Sequence, residues 1–156
     1  MLEMNIPGFE SVRLEHLVSD FTGTPSVDGK LLPGVKKRLN RIVEFMKVHI
    51  LTADTFSTAR KDLKYLQCKI HILTGKSHDV QKEDYVTKRG AENAVAFGNG
   101  NNDRKMLRAA RIAIAVSEGE GCAVDAIIAA NIPVRSAVDG LDLLFNPKRM
   151  KTTLRF

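Results

Sequence analysis

Hydrophobic and polar positions along the chain switch repeatedly between two periods. Short apolar or alternating runs read as strands. Between them apolar residues recur at i, i+3 and i+4, the spacing of helices buried along one side. Residues 2–18 read as an extended hairpin: Glu3-Met4-Asn5-Ile6, a Pro7-Gly8 turn, then one strand from Val12 to Val18. Alternation along that strand places Arg13, Glu15 and Ser19 on a polar face and Val12 and Leu14 opposite. His16 falls on the apolar side, well before the strand's C-terminal edge, and reads as a packed residue rather than a catalytic base.

The strand stops at Asp20, and Val27-Asp28-Gly29-Lys30 makes a second tight turn. Pro33-Gly34 then opens a helix with Val35, Leu39, Ile42, Val43 and Met46 on one side; Lys36, Lys37, Arg38 and Arg41 form a solvated face. A strand at Val48–Leu51 ends in Thr52-Ala53-Asp54, and a helix from about Phe56 to Leu66 follows, N-capped by Asp54 or Thr55. The strand Ile70–Leu73 leads to a polar helix, Val80–Arg89, which Gly90 stops. Ala94–Phe97 is a strand with a Gly98–Asp103 loop, followed by a helix to Ala110. Strands Ile112–Val116 and Ile132–Val134 alternate with helices Ala123–Ala130 and Val138–Phe145. The basic tail Lys148–Phe156 either extends a helix or packs on a neighbour.

Strands alternating with helices define the α/β class: a doubly wound, mainly parallel Rossmann-like sheet with an N-terminal β-hairpin extension. Composition sharpens this picture only at the margins. At 156 residues the chain is expected to be one domain, 1–156, able to bury a core without disulfides or a structural metal. Its apolar runs are far too short for a bilayer, and Met1-Leu2-Glu3-Met4 carries no signal pattern, so a cytoplasmic protein without membrane partners is expected. Cys68 and Cys122 stand far apart, with no ligand spacing around them, and read as buried, inert thiols. A net charge of +6 suits an anionic substrate, but no motif or aromatic interleaving points to nucleic acid.

The chemistry gathers where strands end. In an open α/β sheet ligands bind beyond the carboxyl ends of the strands. Asp20, Thr52 and the Asn99–Asp103 loop all lie there, and Lys82 or Lys88 can reach the same edge from the preceding helix. By itself Asp20-Phe21-Thr22-Gly23-Thr24 is also a plain turn, being rich in turn formers. Together these residue types suit phosphoryl transfer. A carboxylate attacks phosphorus, a hydroxyl and an ammonium hold the phosphoryl oxygens, carboxylate and carbonyl oxygens hold Mg²⁺, and glycines admit backbone N–H groups to the anion.

Asp20-Phe21-Thr22-Gly23-Thr24, Leu51-Thr52-Ala53-Asp54, Lys82 and Gly98-Asn99-Gly100-Asn101-Asn102-Asp103-Arg104-Lys105-Met106-Leu107 resemble the four ordered motifs of the haloacid dehalogenase superfamily. The Thr-Gly-Thr ending of the first motif is most similar to the phosphorylation site of P-type ATPases, in a small soluble branch. The resemblance implies Asp20 as nucleophile and metal ligand, the Thr22 carbonyl as a second ligand, and Asn99 and Asp103 completing a Mg²⁺ site. It implies Thr52 and Lys82 as catalytic partners binding the phosphoryl group, with Gly23, Ala53 and Asn102 around it. Lys82 fits the spacing to the glycine loop better than Lys88. In many relatives a second Asp two residues after the nucleophile transfers protons. Thr22 stands there in this chain, and loss of such a group costs about 10²–10⁴-fold in rate. Asn99 likewise replaces a usual metal-binding Asp.

The intervals Asp20–Thr52 and Thr52–Lys82, roughly thirty residues each, leave no room for a separate cap domain. The expected site is therefore open, covered by a large substrate or by a second subunit of a homo-oligomer. Two functions follow: a slow Mg²⁺-dependent phosphohydrolase acting on a small or macromolecular phosphorylated substrate, or a binding and regulatory protein on a degenerate catalytic scaffold. A phosphotransferase or nucleotide switch is a third reading, without a visible adenine-binding motif.

Overall fold

The computed structural model describes residues 1–53 and 58–156. Its main body is a parallel sheet of the strands β3 (His16–Asp20), β6 (Lys47–Thr52), β7 (Cys68–Ile72), β8 (Ala94–Gly98), β9 (Ile112–Val116) and β10 (Ile132–Val134). Their spatial order is β10-β9-β8-β3-β6-β7. Every residue of β3, β8 and β9 is buried, as expected of inner parallel strands covered on both faces. Pro133, which cannot donate to a ladder, sits in the edge strand β10.

Two layers of helices cover the sheet. On one face Leu17, Phe21, Ile50 and Ile114 pack with Val35, Leu39 and Ile42 of α1 (Val35–Ile42). The same cluster takes in Ala59 of α2 (Thr58–Asp62), Leu141 and Leu144 of α6 (Ala137–Phe145) and Met150 of α7 (Pro147–Leu154). The other face is built of smaller residues: Val18, Ala94, Ala96 and Ala113 meet Val86 of α3 (His78–Gly90), Leu107 of α4 (Arg104–Ala109) and Ala126 of α5 (Val124–Ala129). The small side chains let α3 lie close to β3, which matters for the site.

An antiparallel hairpin of β1 (Leu2–Ile6) and β2 (Glu10–Leu14) precedes the sheet, and a short one, β4 (Ser26–Val27) with β5 (Lys30–Leu31), follows β3. The single strand expected from Val12 to Val18 is thus two. At Glu15 the backbone leaves the hairpin: its N–H donates to the Asn93 carbonyl (2.8 Å) and its own carbonyl accepts from Lys47 N–H (2.9 Å). Alternation continues through the break, so nothing in the pattern marks it. Ser19, assigned to a polar face, is buried because β3 is covered on both sides; its hydroxyl donates to the Asp20 carbonyl. His16 is a packed residue, as expected.

Helix α3 starts at His78, two residues before the expected Val80, because its first turn is polar and carries no apolar period. The basic side of α1 is not simply solvated: Arg38 makes a bidentate pair with Asp142 of α6 (2.7 and 2.8 Å), and the Arg41 guanidinium lies 4.3 Å from the Phe145 ring centre. Of the two alternatives for the tail, residues 147–154 form α7, and the Phe156 N–H donates to the Pro7 carbonyl. Cys68 and Cys122 are free and half-buried rather than buried, and desolvation pushes both thiols up, which keeps them protonated. The proposed caps Asp54 and Thr55, and the start of their helix at Phe56, lie outside the described residues. Among the described residues no helix is long and apolar enough to cross a membrane.

Candidate active site

Three adjacent strands, β8-β3-β6, deliver the site. Along β3 the side chains of His16, Val18 and Asp20 share the face toward α3, while Leu17 and Phe21 enter the opposite core. Phe21, 1% exposed, anchors the chain immediately after the carboxylate. Asp20 opens into a cavity of about 300 Å³ at the C-terminal edge of the sheet. Thr52 and Ala53 line it from the end of β6, Thr22 from the loop after β3, Lys82 from α3, and Asn99 and Asn102 from the loop after β8. Residues from all four motifs thus meet around one concavity.

The remaining two expected residues lie behind that wall. Gly23 has a left-handed φ of 79°, and a Cβ there would come within 2.3 Å of the Asn99 amide, so both conformation and space call for glycine. Asp103 is completely buried below the cavity. A Cβ on Gly98 would sit 2.5 Å from the Asp103 Cβ, so the bare backbone of Gly98 is what lets the loop fold down on Asp103.

Lys82, also completely buried, is the centre of the electrostatics. Its ammonium donates to Asp20 Oδ1 (2.7 Å) and to Asp103 Oδ1 (2.6 Å), while Asp103 Oδ2 accepts from the backbone N–H groups of Asn99 and Gly100 (2.9 Å each). Asp103 therefore positions the lysine and ties the loop to it. Burial, and then the charge of Asp103, push the Asp20 carboxyl up to about 7 against the pull of Lys82. Burial alone would lower Lys82, but Asp20 and Asp103 outweigh it and raise it, so the ammonium stays charged. Lys88, the other lysine considered from sequence, is exposed on the same helix.

When both carboxylates are ionised, the cluster carries one excess negative charge, which repels a phosphate dianion. A divalent cation would reverse that sign. Among the described residues no three His, Cys, Asp or Glu side chains gather to form a metal site. The cavity instead offers one carboxylate, Asp20, with amide and backbone oxygens around it. That donor set fits Mg²⁺, which takes one or two carboxylates and completes its shell with water and substrate phosphate, and does not fit zinc. The Asn99 carboxamide is otherwise engaged: its oxygen accepts from the Thr24 hydroxyl (3.3 Å) and its nitrogen donates to the Gly121 carbonyl (3.1 Å).

The structure adds a residue that the motifs omit. His78, at the start of α3, lines the cavity beside Asp20 and Lys82, with Leu73 below it. Its signal was topological: β7 belongs to the same parallel sheet, so the loop after it reaches the same edge.

A parallel sheet in this order, with a buried lysine joining a strand-end aspartate to a glycine-loop aspartate, is similar to the haloacid dehalogenase-like fold. Residues 74–129, which include Lys82 and the whole 98–107 loop, match the family of haloacid dehalogenase-like hydrolases. The fold resembles the cobalt-bound deoxy-D-mannose-octulosonate 8-phosphate phosphatase of Haemophilus influenzae (TM-score 0.72, 13% identity, 92% of this chain and 94% of that one). It also resembles the 3-deoxy-D-manno-octulosonate 8-phosphate phosphatase of Moraxella catarrhalis, solved with magnesium, phosphate and the sugar acid (TM-score 0.65, 17% identity, 85% and 86% covered). By sequence it is similar to an uncharacterized protein of Methanocaldococcus jannaschii, 43% identical over 61 residues, 39% of this chain and 66% of that relative. The fold is thus that of the haloacid dehalogenase-like α/β core, and over residues 74–129 the sequence is similar to that family as well. In the described residues between β3 and β6 there is only the β4-β5 hairpin and α1, so no cap domain is inserted there.

Proposed function

We propose that this protein is a Mg²⁺-dependent phosphohydrolase that works through an aspartyl phosphate on Asp20. The observation that carries the reading is the Lys82 ammonium, fully buried and held between Asp20 and Asp103 at the floor of a cavity on the sheet's C-terminal edge. A lysine locked in that place meets a phosphoryl group as it bonds to Asp20, without reorganisation. An Asp20 carboxylate oxygen attacks phosphorus and the bond to the leaving oxygen breaks. Water then attacks the phosphorus, releases inorganic phosphate and regenerates the carboxylate. Thr52 and the backbone around Ala53 and Asn102 hold the phosphoryl oxygens.

Mg²⁺ would be held by Asp20, the Thr22 carbonyl and Asn99, and when bound it supplies the positive charge that admits the phosphate. Asp103, with both oxygens occupied, acts through Lys82 and the loop. Thr22 in place of a proton-transferring carboxylate makes turnover slow and the phosphoenzyme long-lived, in the manner of the P-type-ATPase-like branch. The substrate is a phosphorylated molecule in an aqueous compartment.

Hydrolysis of an aryl phosphate with Mg²⁺ tests this reading: Asp20→Asn should lose at least about 10³-fold in kcat/KM, and equal rates for the two proteins would refute it. A second reading, a phosphate-binding regulator that does not turn over, is favoured by the engagement of the Asn99 amide with Thr24 and Gly121. It predicts that Mg²⁺ with beryllium fluoride stabilises the fold in an Asp20-dependent way while no aryl phosphate is hydrolysed.

A further inference from the structure

The cavity at Asp20 is about 300 Å³, room for a phosphoryl group and part of a leaving group. His78 and Asn102 also line a second, wider groove of about 510 Å³, which runs between the loop after β7 and the 101–104 turn. Lys76 and Arg104 stand on opposite walls of that groove. A leaving group attached to a phosphate at Asp20 has this groove to extend into.

The groove walls are fixed in a way that matters for recognition. Gln81 of α3 clamps the loop that carries Lys76: its amide nitrogen donates to the Thr74 carbonyl (2.7 Å) and the Lys76 carbonyl (2.9 Å), and its oxygen accepts from Thr74 N–H (3.2 Å). On the other wall Arg104 donates to the Asn101 carbonyl (2.7 Å) and reaches Asp79 only at 3.4 Å. Asp79, the one acid in the lining, is held more closely by Lys105 at 3.0 Å, with its carboxyl pushed below the usual range by that lysine. Its charge is thus answered mainly by Lys105 from outside the groove and in part by Arg104, which leaves Lys76 and the excess positive charge of the Arg104–Lys105 pair to an occupant of the groove.

We propose that this groove is a subsite for a second anionic group, so that the substrates are phosphate esters whose leaving group carries a carboxylate or a further phosphate. The inference rests on the phosphohydrolase reading of Asp20 and adds the substrate class. Lys76 contributes a mobile point charge on a clamped backbone, and Arg104 a planar fork suited to either carboxylate or phosphate. His78 marks the boundary between scissile phosphate and leaving group.

The test is equilibrium binding of non-hydrolysable phosphonates in the presence of Mg²⁺ at low ionic strength. Propylphosphonate is compared with 3-phosphonopropionate, which adds a carboxylate, and with 1,3-propylenediphosphonate, which adds a second phosphonate. The wild-type protein should bind at least one acidic ligand about tenfold more tightly than propylphosphonate. Which of the two gains more separates a carboxylate from a phosphate source. The ratio should collapse toward one in Lys76→Ala and Arg104→Ala and persist in Lys88→Ala, an exposed lysine outside both cavities. Equal affinity for propylphosphonate and the two ligands with an added acidic group in the wild type, or a ratio that survives both substitutions, overturns the subsite and leaves the phosphate site standing. Failure of all three phosphonates to bind overturns the phosphate site, and the subsite with it.

Discussion

The face of β3 that packs on α3 carries a polar cluster at each end. At the C-terminal end Asp20 meets Lys82 and Asp103; at the other, His16 Nδ1 lies 3.0 Å from His49 Nε2, and His49 Nδ1 lies 2.9 Å from the Tyr85 hydroxyl. Both clusters use the same two elements, with Lys82 and Tyr85 one helical turn apart on α3. One is built of ionisable groups around an ammonium and opens on a cavity; the other is a histidine–histidine–tyrosine chain, with His49 only 1% exposed and Arg89 over the Tyr85 ring at its outer end. Burial pushes the His49 ring down to about 4, with help from His16, and lowers His16 as well. Buried charge is retained only where three ions answer one another and a ligand can arrive. Elsewhere the same layer holds its polar groups neutral, which avoids the cost of an uncompensated ion.

That contrast can be broken from either end. The largest effect is expected from Lys82→Met, which leaves Asp20 and Asp103 facing each other without a cation. A loss of about 3–5 kcal/mol in urea denaturation at pH 8 is expected, together with loss of stabilisation by Mg²⁺ and beryllium fluoride. A destabilisation below that of an ordinary surface change would mean that the charged cluster is not what closes this end of the layer.

The histidine end should respond to pH instead. Both rings have folded pKa values below their unfolded value of about 6.5, so the unfolded chain takes up protons first. Their contribution is therefore complete above pH 6.5 and is lost as the pH falls toward 4, by about 1–3 kcal/mol in total. Thermal melts of the wild type and His49→Phe across this range check the sign: the acid limb should be shallower in the variant. A parallel pair of curves would show that other groups set the slope. The smallest effect is expected from Tyr85→Phe. It removes one hydrogen bond to a buried ring and should cost about 1 kcal/mol at pH 8, with no change in Mg²⁺-dependent stabilisation at the other end of α3.

Much of this layer was legible in the sequence, and the reasons differ by element. β6 and β8 announce themselves as short, mostly apolar runs ended by Thr52 and Asn99, as strands buried on both faces do, while β3 reads as the end of an alternating run that stops at Asp20. Lys82 could be placed near them from motif order. That it bridges two carboxylates could not, since the bridge depends on how closely α3 approaches β3 over Val18, Ala94 and Ala96. His49 looks like any strand residue until the helix above it supplies Tyr85. His78 belongs to no motif, and only its place after β7, at the same edge of the parallel sheet, points to it. The break at Glu15 was invisible, since changing partners from β1 to the main sheet leaves the alternation of side chains intact.

The position of β3 in the strand order also sets a schedule. It is the first strand of the main sheet to be made, yet it lies in the interior, between β6 and β8. During synthesis at 5–20 residues per second, β8 follows Asp20 by about 4–16 s. For that interval one edge of β3 has no native neighbour, and the loop that will hold Lys82 in place does not exist. A nascent chain arrested before residue 94 should therefore expose an unpaired apolar strand ending in Asp20, a segment suited to capture by chaperones that bind extended apolar peptides.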